Sequence, residues 1–350
     1  MSSATVRDGV LTVPVVDISS FRMPYADEYA RAQVVRQVDE AARTVGFMQV
    51  TGHGIPRCVL DEFTAATDEF FALPPATKSQ YRCPPHVNRG YTPPRAESLV
   101  NSLGLASAGD LFEAVNVGTS AADYPGLDLP PDVYAPNVYP AEVPGFEDAV
   151  AAWFSAAGAV ARTMTRIFGV ALGGSEDYFA AFTDHSVDVL RMNNYCLPAP
   201  DAELEPDQLG MGAHTDYGIV TVLWADKVPG LEILGADGCW HSVLPAGRAL
   251  LVNLGDTLAR WTNDQWLSTM HRVAPPRLAG ELVPRRSAAY FHDGNVDAVI
   301  ECLPSCVSPE TPAHYEPVTV GEHLAAKLAG SRGGELNPRA GREAARLLTA

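Results

Sequence analysis

Apolar residues recur every three or four positions in the first half of the chain, which is the period of an amphipathic α-helix. This pattern predicts a helix over residues 25–45, a short strand over residues 47–50, and a second helix that ends at Pro74. A longer apolar helix is expected over residues 147–168, followed by a shorter one that starts near Ser175. We expect these helices to pack around a β-sheet as a scaffold.

After residue 187 the pattern changes to short runs rich in β-branched and aromatic residues, separated by turn-forming residues. The predicted strands cover residues 187–195, 212–216, 219–224, 231–234, 240–243, 249–254, 269–273 and 287–291. Two closing helices are expected over residues 322–329 and 339–348. The predicted fold class is mainly β with flanking helices (α+β): a double-stranded β-helix, or jelly roll, with a helical N-terminal region.

Two proline-rich segments, residues 84–94 and 123–145, are predicted to be connectors that line the mouth of a pocket. Proline lacks the N–H group that a central strand or helix needs, so neither segment is expected to form a regular central element. Residues 110–117, between the two connectors, are expected to form a strand or a short helix. No internal repeat or compositional linker divides the chain.

The charge of the chain narrows the range of partners. Its 350 residues are 47% hydrophobic and carry a formal net charge of −17 at pH 7. This charge argues against binding nucleic acid or an anionic membrane surface, and it slightly favours a cationic substrate. The longest uncharged apolar run, residues 149–161, is too short to cross a bilayer. Neither a signal peptide nor a Cys-x-x-Cys pair is recognisable, which predicts a reduced cytoplasmic setting.

The six cysteines and the few lysines add two minor expectations. Cys302 and Cys306 are predicted to be free thiols, and a pair formed under oxidation is the alternative. Only three of the 25 basic residues are lysines, and alanine, glycine and proline are abundant. Such a composition is typical of a GC-rich genome and therefore favours a bacterial source.

Two histidines and an aspartate form a candidate metal site. In an extended strand His214 and Asp216 project from the same face, because side chains alternate along a strand. His271 lies 55 residues further on (271 − 216) and must come from another strand. Two imidazoles and one carboxylate are the facial triad that leaves coordination positions open on non-haem Fe(II). A single histidine is more often structural, so the prediction rests on the combination.

Arg285 and Ser287 form a candidate anion site. They share one face of a strand that begins 14 residues after His271 (285 − 271), and Arg286 is expected to point away from that face. A guanidinium fork and a hydroxyl can together hold a carboxylate. A metal with open positions next to a carboxylate anchor indicates a bound 2-oxo acid.

With these motifs the chain resembles the Fe(II)/2-oxoglutarate-dependent dioxygenases of the isopenicillin N synthase-like family. The resemblance extends over most of the chain. Besides the metal and Arg-x-Ser motifs it rests on Val13-Pro14-Val15-Val16-Asp17, Gly46-Phe47-Met48-Gln49-Val50, Gly52-His53-Gly54-Ile55, Phe70-Phe71-Ala72-Leu73-Pro74, Leu190-Arg191-Met192-Asn193-Asn194-Tyr195, Asn253-Leu254-Gly255-Asp256 and His271-Arg272-Val273.

The resemblance implies an oxidoreductase that binds Fe(II) through His214, Asp216 and His271. It implies 2-oxoglutarate and O2 as co-substrates, with succinate and CO2 released while a substrate C–H bond is oxidised. Hydroxylation, desaturation and cyclisation all stay open, and we expect the substrate to be a small molecule of bacterial specialised metabolism. No nucleic acid or membrane partner is expected, and the oligomeric state is left open.

The resemblance also implies that Asn193 and Tyr195 line the 2-oxoglutarate pocket, with the Tyr195 hydroxyl beside Arg285 and Ser287. An amide that only satisfies the backbone is the alternative for Asn193. The segment His292-Asp293-Gly294-Asn295 departs from the family, where a proline-containing turn is common. Substrate contacts in this segment are therefore an open question.

Four regions are expected along the chain. Residues 1–146 form an N-terminal dioxygenase region of helices and loops, and residues 147–186 form scaffold helices. Residues 187–296 form the Fe(II)/2-oxoglutarate jelly-roll core, and residues 297–350 form a C-terminal helical closure.

Two other functions stay open on the sequence alone. A non-haem iron oxidase of the same fold would use no 2-oxoglutarate, and its Arg-x-Ser pair would hold the substrate or another small anion. A non-catalytic jelly-roll binding protein is a more remote alternative. Such proteins usually lack one of the metal ligands, whereas this chain has all three. Trp224, Trp261 and Phe291 are candidate pocket residues, and core packing explains them equally well.

Overall fold

The computed structural model describes residues 5–7, 10–25, 27–105, 109–195, 204, 208–334, 337 and 340–348. Its strands are β1 (Thr5–Arg7), β2 (Val10–Thr12), β3 (Val15–Asp17), β4 (Phe47–Thr51), β5 (Gly90–Thr92), β6 (Phe112–Gly118), β7 (Val189–Tyr195), β8 (Met211–His214), β9 (Val220–Ala225), β10 (Leu231–Leu234), β11 (Trp240–Ser242), β12 (Leu250–Leu254), β13 (His271–Val273), β14 (Arg277–Leu278), β15 (Glu281–Leu282), β16 (Arg285–His292), β17 (Val299–Ile300) and β18 (Val318–Thr319). Its α-helices are α1 (Glu28–Thr44), α2 (Arg57–Ala72), α3 (Pro75–Lys78), α4 (Phe146–Ala171), α5 (Asp256–Trp261), α6 (Val320–Gly333) and α7 (Gly341–Leu348).

Most of these strands belong to two sheets. The smaller sheet has the order β1-β2-β11-β10-β13-β8, and the larger has the order β3-β4-β12-β9-β16-β7-β6-β5. Many neighbouring strands are far apart in sequence and run antiparallel, as in a jelly roll. The predicted fold class, a jelly-roll core with flanking helices, is confirmed.

The larger sheet places the predicted anion site. Strand β16 lies between β7 and β9 and pairs antiparallel with both. This register sets Arg285 opposite Tyr195 and Ser287 opposite Asn193. Residues directly opposite each other on one face of a sheet lie within side-chain contact distance. The pairing therefore gathers all four residues predicted for the 2-oxoglutarate pocket.

Helix α4 supports the outer face of the larger sheet. Glu147 and Asp148 stand in its first turn, where the helix dipole favours acidic side chains. The Trp153 ring stacks on Phe63 of α2 at 5.0 Å between centroids, and the Phe154 ring meets Tyr290 of β16 at 4.9 Å. These aromatic contacts pack α4 against α2 and against β16 of the larger sheet.

Two predicted elements differ from the structure, and one open alternative is decided by it. The helix expected from Ser175 is wrong: the segment forms turns and the short 3-10 helix Ala180–Phe182. The Phe179 and Phe182 rings both lie 5.3 Å from Trp261, so contacts with a distant part of the chain decide this conformation. Within the expected connector at 84–94, β5 pairs with β6 at the sheet edge. Residues 110–117 fall largely in β6, the strand alternative.

Two further features concern membranes and cysteines. Across the ranges the structure describes, no helix is both long and apolar enough to cross a membrane.

Cys302 and Cys306 are free thiols, as predicted. Cys196 lies outside the described residues.

Helix α6 is anchored to the core by a buried ion pair. The Lys327 ammonium lies 2.8 Å from a carboxylate oxygen of Asp256, and both side chains are 2% exposed. Asp256 also accepts hydrogen bonds from the Ser268 hydroxyl (2.7 Å) and the Thr215 hydroxyl (3.1 Å). Although burial opposes ionisation, Lys327 and His323 hold the pKa of Asp256 below its usual value. The pair fixes α6 to α5, and the Thr215 hydrogen bond links Asp256 to the segment that carries the candidate metal ligands.

Lys327→Met is expected to lower the free energy of unfolding by about 3–5 kcal/mol, because it leaves the Asp256 carboxylate buried without its cation. Urea denaturation monitored by circular dichroism measures this loss. Lys227→Met is the matched control, since Lys227 is exposed and, within the described part of the chain, donates to the carbonyls of Pro245 and Gly247. Equal, small losses in both variants would show that the buried pair does not anchor α6.

Candidate metal and co-substrate site

The three predicted metal ligands converge at one point. Ligand atoms of His214, Asp216 and His271 all lie within 4.8 Å of one another, and all three residues are buried. His214 ends β8, and the antiparallel pairing of β8 with β13 sets His271 opposite it. The two imidazole rings lie 4.2 Å apart between centroids. A pairing of strands distant in sequence therefore creates the cluster.

Hydrogen bonds orient both imidazoles towards the same point. His214 Nδ1 lies 2.8 Å from the Gly212 carbonyl, and His271 Nδ1 lies 3.0 Å from the Thr269 carbonyl. A carbonyl oxygen only accepts, so each Nδ1 carries the proton and each Nε2 presents its lone pair. These Nε2 atoms lie 3.8 and 3.7 Å from Asp216 Oδ1. This donor set fits a divalent cation.

Asp216 was predicted to lie in the same strand as His214, but the structure places it outside that strand. Strand β8 ends at His214, so Asp216 lies in the segment after the strand and is not presented by regular alternation. Its carboxylate is held instead by hydrogen bonds from the Thr221 hydroxyl and from Asn253 Nδ2, both to Oδ2. Oδ1 stays directed at the two imidazoles. Asn253 lies on β12 and Thr221 on β9, so the larger sheet positions this ligand.

The electrostatics of the cluster favour neutral imidazole. Burial, followed by the neighbouring His271, lowers the pKa of His214 to about 3. Neutral imidazole is the form that donates a lone pair to a metal. Phe47 packs edge-on against the His271 ring at 5.3 Å between centroids, which limits ring rotation. The site is therefore built to receive a cation without displacing protons from His214.

Arg285 presents an unused donor in the same cavity. It is 2% exposed, its Nε donates to the Val228 carbonyl at 3.2 Å, and its guanidinium lies 5.0 Å from the centroid of the Tyr195 ring. Its Nη1 has no hydrogen-bond partner among the described residues. A buried guanidinium nitrogen without an acceptor is costly, and a carboxylate would satisfy it. The residues present therefore fit the distal carboxylate of 2-oxoglutarate.

Ser287, Tyr195 and Asn193 surround this guanidinium. The Ser287 hydroxyl lies 3.5 Å from the Tyr195 hydroxyl and 3.5 Å from Asn193 Nδ2. Arg286 points the other way: its Nε donates to Asp68 at 3.0 Å and its guanidinium lies over Phe71. The two neighbouring arginines therefore occupy opposite faces of β16, as strand alternation requires.

One cavity of about 570 Å³ contains all seven predicted site residues. Leu324, Ala325 and Leu328 of α6 form part of its apolar wall, and both proline-rich segments contribute lining residues. Phe291 also lines the cavity, whereas Trp224 packs on Phe63. Trp261 belongs to the hydrophobic core. Of the three aromatic candidates, only Phe291 is a pocket residue.

Several residues that line the cavity were not predicted from the sequence. Glu97 accepts from Arg191 at 2.6 Å and from Arg332 at 2.9 Å, and all three line the cavity. His292, flagged because its segment departs from the family, is buried against Asp188 at 2.8 Å. Its neighbour Asp293 is the residue that lines the cavity. The difference from the family therefore pointed to a segment that does line the cavity. Strand β16 ends at His292, and the side chain that faces the cavity is that of the next residue, Asp293.

The environment of Asp293 is unusual for a carboxyl group. Burial raises its pKa well above the usual value, and the negative charges of Asp188 and Asp216 add to this effect. A cation placed beside the group would favour its ionised form again. The side chain packs against Gly218, where an added Cβ would lie 1.9 Å from Asp293 Oδ1. Gly218 is thus required for this close approach.

Fold and site together define a metal-dependent oxygenase with a 2-oxo acid pocket. Comparison with known protein families gives the same class of protein. The family model "non-haem dioxygenase in morphine synthesis N-terminal" matches residues 13–142, and the model "2OG-Fe(II) oxygenase superfamily" matches residues 187–294. The chain belongs to the 2-oxoglutarate/Fe(II) oxygenase family. It is accordingly an oxidoreductase that uses Fe(II), 2-oxoglutarate and O2.

Individual relatives cover most of the chain. The 2-oxoglutarate-Fe(II) type oxidoreductase hxnY of Emericella nidulans is 35% identical over 88% of this chain and 86% of that protein. Validamycin A dioxygenase of Streptomyces hygroscopicus is 30% identical over 90% of this chain and 86% of that protein. The crystal structure of a full-length Neurospora crassa protein in complex with alpha-KG and 5-formyluracil has a TM-score of 0.78 at 29% identity, covering 94% of this chain and 99% of that one.

Proposed function

We propose that this protein oxidises a C–H bond of a small molecule at an iron held by His214, Asp216 and His271. The single observation that carries this proposal is the unsatisfied Arg285 Nη1 in the cavity that also holds the three-ligand cluster. A metal with open positions and a carboxylate anchor in one cavity fit 2-oxoglutarate. Fe(II) with 2-oxoglutarate and O2 supplies the oxidising chemistry when bound.

In this proposal Arg285, Ser287, Tyr195 and Asn193 bind the co-substrate. The guanidinium and the Ser287 hydroxyl accommodate its distal carboxylate, and the Tyr195 ring holds the guanidinium in place by a cation–π contact. Arg285 and Ser287 would thereby hold the co-substrate with its 2-oxo acid end towards the three metal ligands. Apolar side chains on α6 exclude water from the remaining space, which is left for the substrate.

Hydroxylation is the reaction we propose, and bacterial specialised metabolism is the proposed setting. The scarcity of lysine and the Streptomyces relative support the setting. A cavity of about 570 Å³ is a suitable size for a small organic molecule beside the co-substrate.

Succinate formation tests this function. The Fe(II)-loaded protein is incubated with 2-oxoglutarate, O2 and a panel of small molecules, and succinate and oxidised product are quantified together. We expect the true substrate to raise succinate formation and to yield product and succinate in equal amounts. Oxidised product formed at an unchanged rate without 2-oxoglutarate would instead identify an oxidase that does not use this co-substrate.

A further inference from the structure

The Asp293 carboxyl group lies in the cavity without a partner. It is 8% exposed, lines the cavity, and makes no hydrogen bond or ion pair with the part of the chain that the structure describes. Buried carboxyl groups in proteins are normally hydrogen-bonded or paired, because an isolated charge is costly to desolvate. An unpaired one that faces a ligand cavity indicates that the ligand supplies the partner.

The backbone on both sides of Asp293 is fixed. The Ile219 N–H donates to the His292 carbonyl at 2.9 Å, and the Val187 N–H donates to the Gly294 carbonyl at 2.9 Å. The Gly294 N–H donates to the Ser186 hydroxyl at 2.9 Å. With its neighbours held in this way, the side chain is presented to the cavity in a defined direction. Such preorganisation is what a specificity residue requires.

The other charges that line the cavity already have a role. Glu97 is shared between Arg191 and Arg332, so neither guanidinium is free to neutralise Asp293. Arg285 lies beside Tyr195 and Ser287 in the co-substrate pocket. Arg89, the fourth guanidinium in the cavity lining, donates to the carbonyls of Asn88 at 2.8 Å and Thr119 at 2.6 Å. Among the described residues, none of these four guanidinium groups forms an ion pair with Asp293.

Apolar residues line the same cavity as Asp293. Phe291 and Val296 flank it in sequence and line the same cavity, and Leu324 of α6 lines it as well. Gly218, against which the carboxyl group packs, lies two residues after the candidate metal ligand Asp216. A ligand complementary to this part of the cavity would have an apolar portion and one charged group placed next to Asp293.

We propose that Asp293 binds a cationic nitrogen of the substrate, an ammonium or guanidinium group, while the apolar part of the substrate lies against Phe291, Val296 and Leu324. This inference rests on the proposed function and names the substrate class of that site. A charge-assisted hydrogen bond to a preorientated, desolvated carboxylate is stronger than one in water, and a neutral isostere cannot form it. Asp293 is thus a residue that determines specificity.

Calorimetry with three matched probes tests the inference without turnover. Ni(II)-loaded protein saturated with 2-oxoglutarate is titrated at pH 7.5 with cyclohexylmethylamine, cyclohexylmethanol and cyclohexanecarboxylate. We expect the amine to bind about tenfold or more tightly than the alcohol, and the carboxylate to bind most weakly. An amine that binds no more tightly than the alcohol, including an amine that does not bind, overturns the inference. So does preferential binding of the carboxylate, which would place recognition on the arginines.

Two variants locate the effect. Asp293→Asn keeps the shape of the side chain and removes its charge, and we expect it to abolish the preference for the amine while alcohol binding changes by less than about twofold. Asp132→Asn is the matched control: Asp132 lines the cavity mouth, its side chain is 71% exposed, and solvent screens it. An amine preference that survives Asp293→Asn, or that is lost equally in Asp132→Asn, overturns the assignment.

Failure of the inference is distinguishable from failure of the proposed function. Binding of 2-oxoglutarate to the Ni(II)-loaded protein is recorded first, in the wild type and in both variants. Loss of that binding in the wild type contradicts the co-substrate site itself. The comparison of the three probes is made in the wild-type protein and needs no variant. The inference can therefore still be refuted if the Asp293→Asn protein folds poorly.

Discussion

Replacement of His271 by alanine is expected to abolish iron binding and turnover together. The side chain is one of the three proposed metal ligands, and the other two, His214 and Asp216, lie at the end of a single strand and just beyond it. Partners outside the ligand shell already cost about 10–100-fold in metal affinity when they are removed, so loss of a ligand should cost more. Anaerobic titration with Fe(II), followed by the succinate assay, measures both effects.

The metal content of the purified protein does not test this prediction. Fe(II) lies low in the affinity order of divalent metals, so nickel, cobalt or zinc can occupy the site after purification. The protein is therefore stripped and reconstituted before assay. His314→Ala serves as the control, because His314 is partly exposed and pairs with Asp264 through Nδ1 at 3.0 Å. Full activity of the His271→Ala variant after reconstitution would refute the three-ligand site.

Arg285→Ala is expected to raise the 2-oxoglutarate requirement about 30-fold or more, because a buried charge-assisted pair contributes about 2–5 kcal/mol. The requirement for the substrate should change much less, since we propose that the guanidinium binds the co-substrate. Steady-state assays in which 2-oxoglutarate and substrate are varied separately distinguish the two effects. The structural basis is the 2% exposure of Arg285 and its unsatisfied Nη1.

Arg286→Ala is the matched control for this experiment. Its guanidinium contacts Asp68 and Phe71 on the opposite side of β16, so we expect little change in the 2-oxoglutarate requirement and at most a modest loss of stability. If Arg286→Ala had the larger effect on 2-oxoglutarate, the face assigned to the anion site would be wrong. Such an outcome would also remove the main support for the proposed function.

Local features of the sequence were sufficient for most of the element types and for the grouping of Arg285 with Ser287. The alternation of side chains along β16 places Arg285 and Ser287 together and Arg286 apart, because a strand has a period of two residues. The apolar period of α1, α2 and α4 predicted those helices to within a few residues at each end. The segment from Ser175 failed because its aromatic residues pack against Trp261, which no local pattern contains.

The sequence by itself determined which chemistry the chain can perform: two histidines, an aspartate and an Arg-x-Ser pair suffice to indicate iron and a 2-oxo acid. Only the tertiary structure decided how these groups meet. The β8–β13 pairing brings His271 to His214, and side chains on other strands orient Asp216. The tertiary structure also decided that Asp293 faces the cavity with no partner among the described residues, because its surroundings come from segments far apart in sequence that meet only in the folded chain.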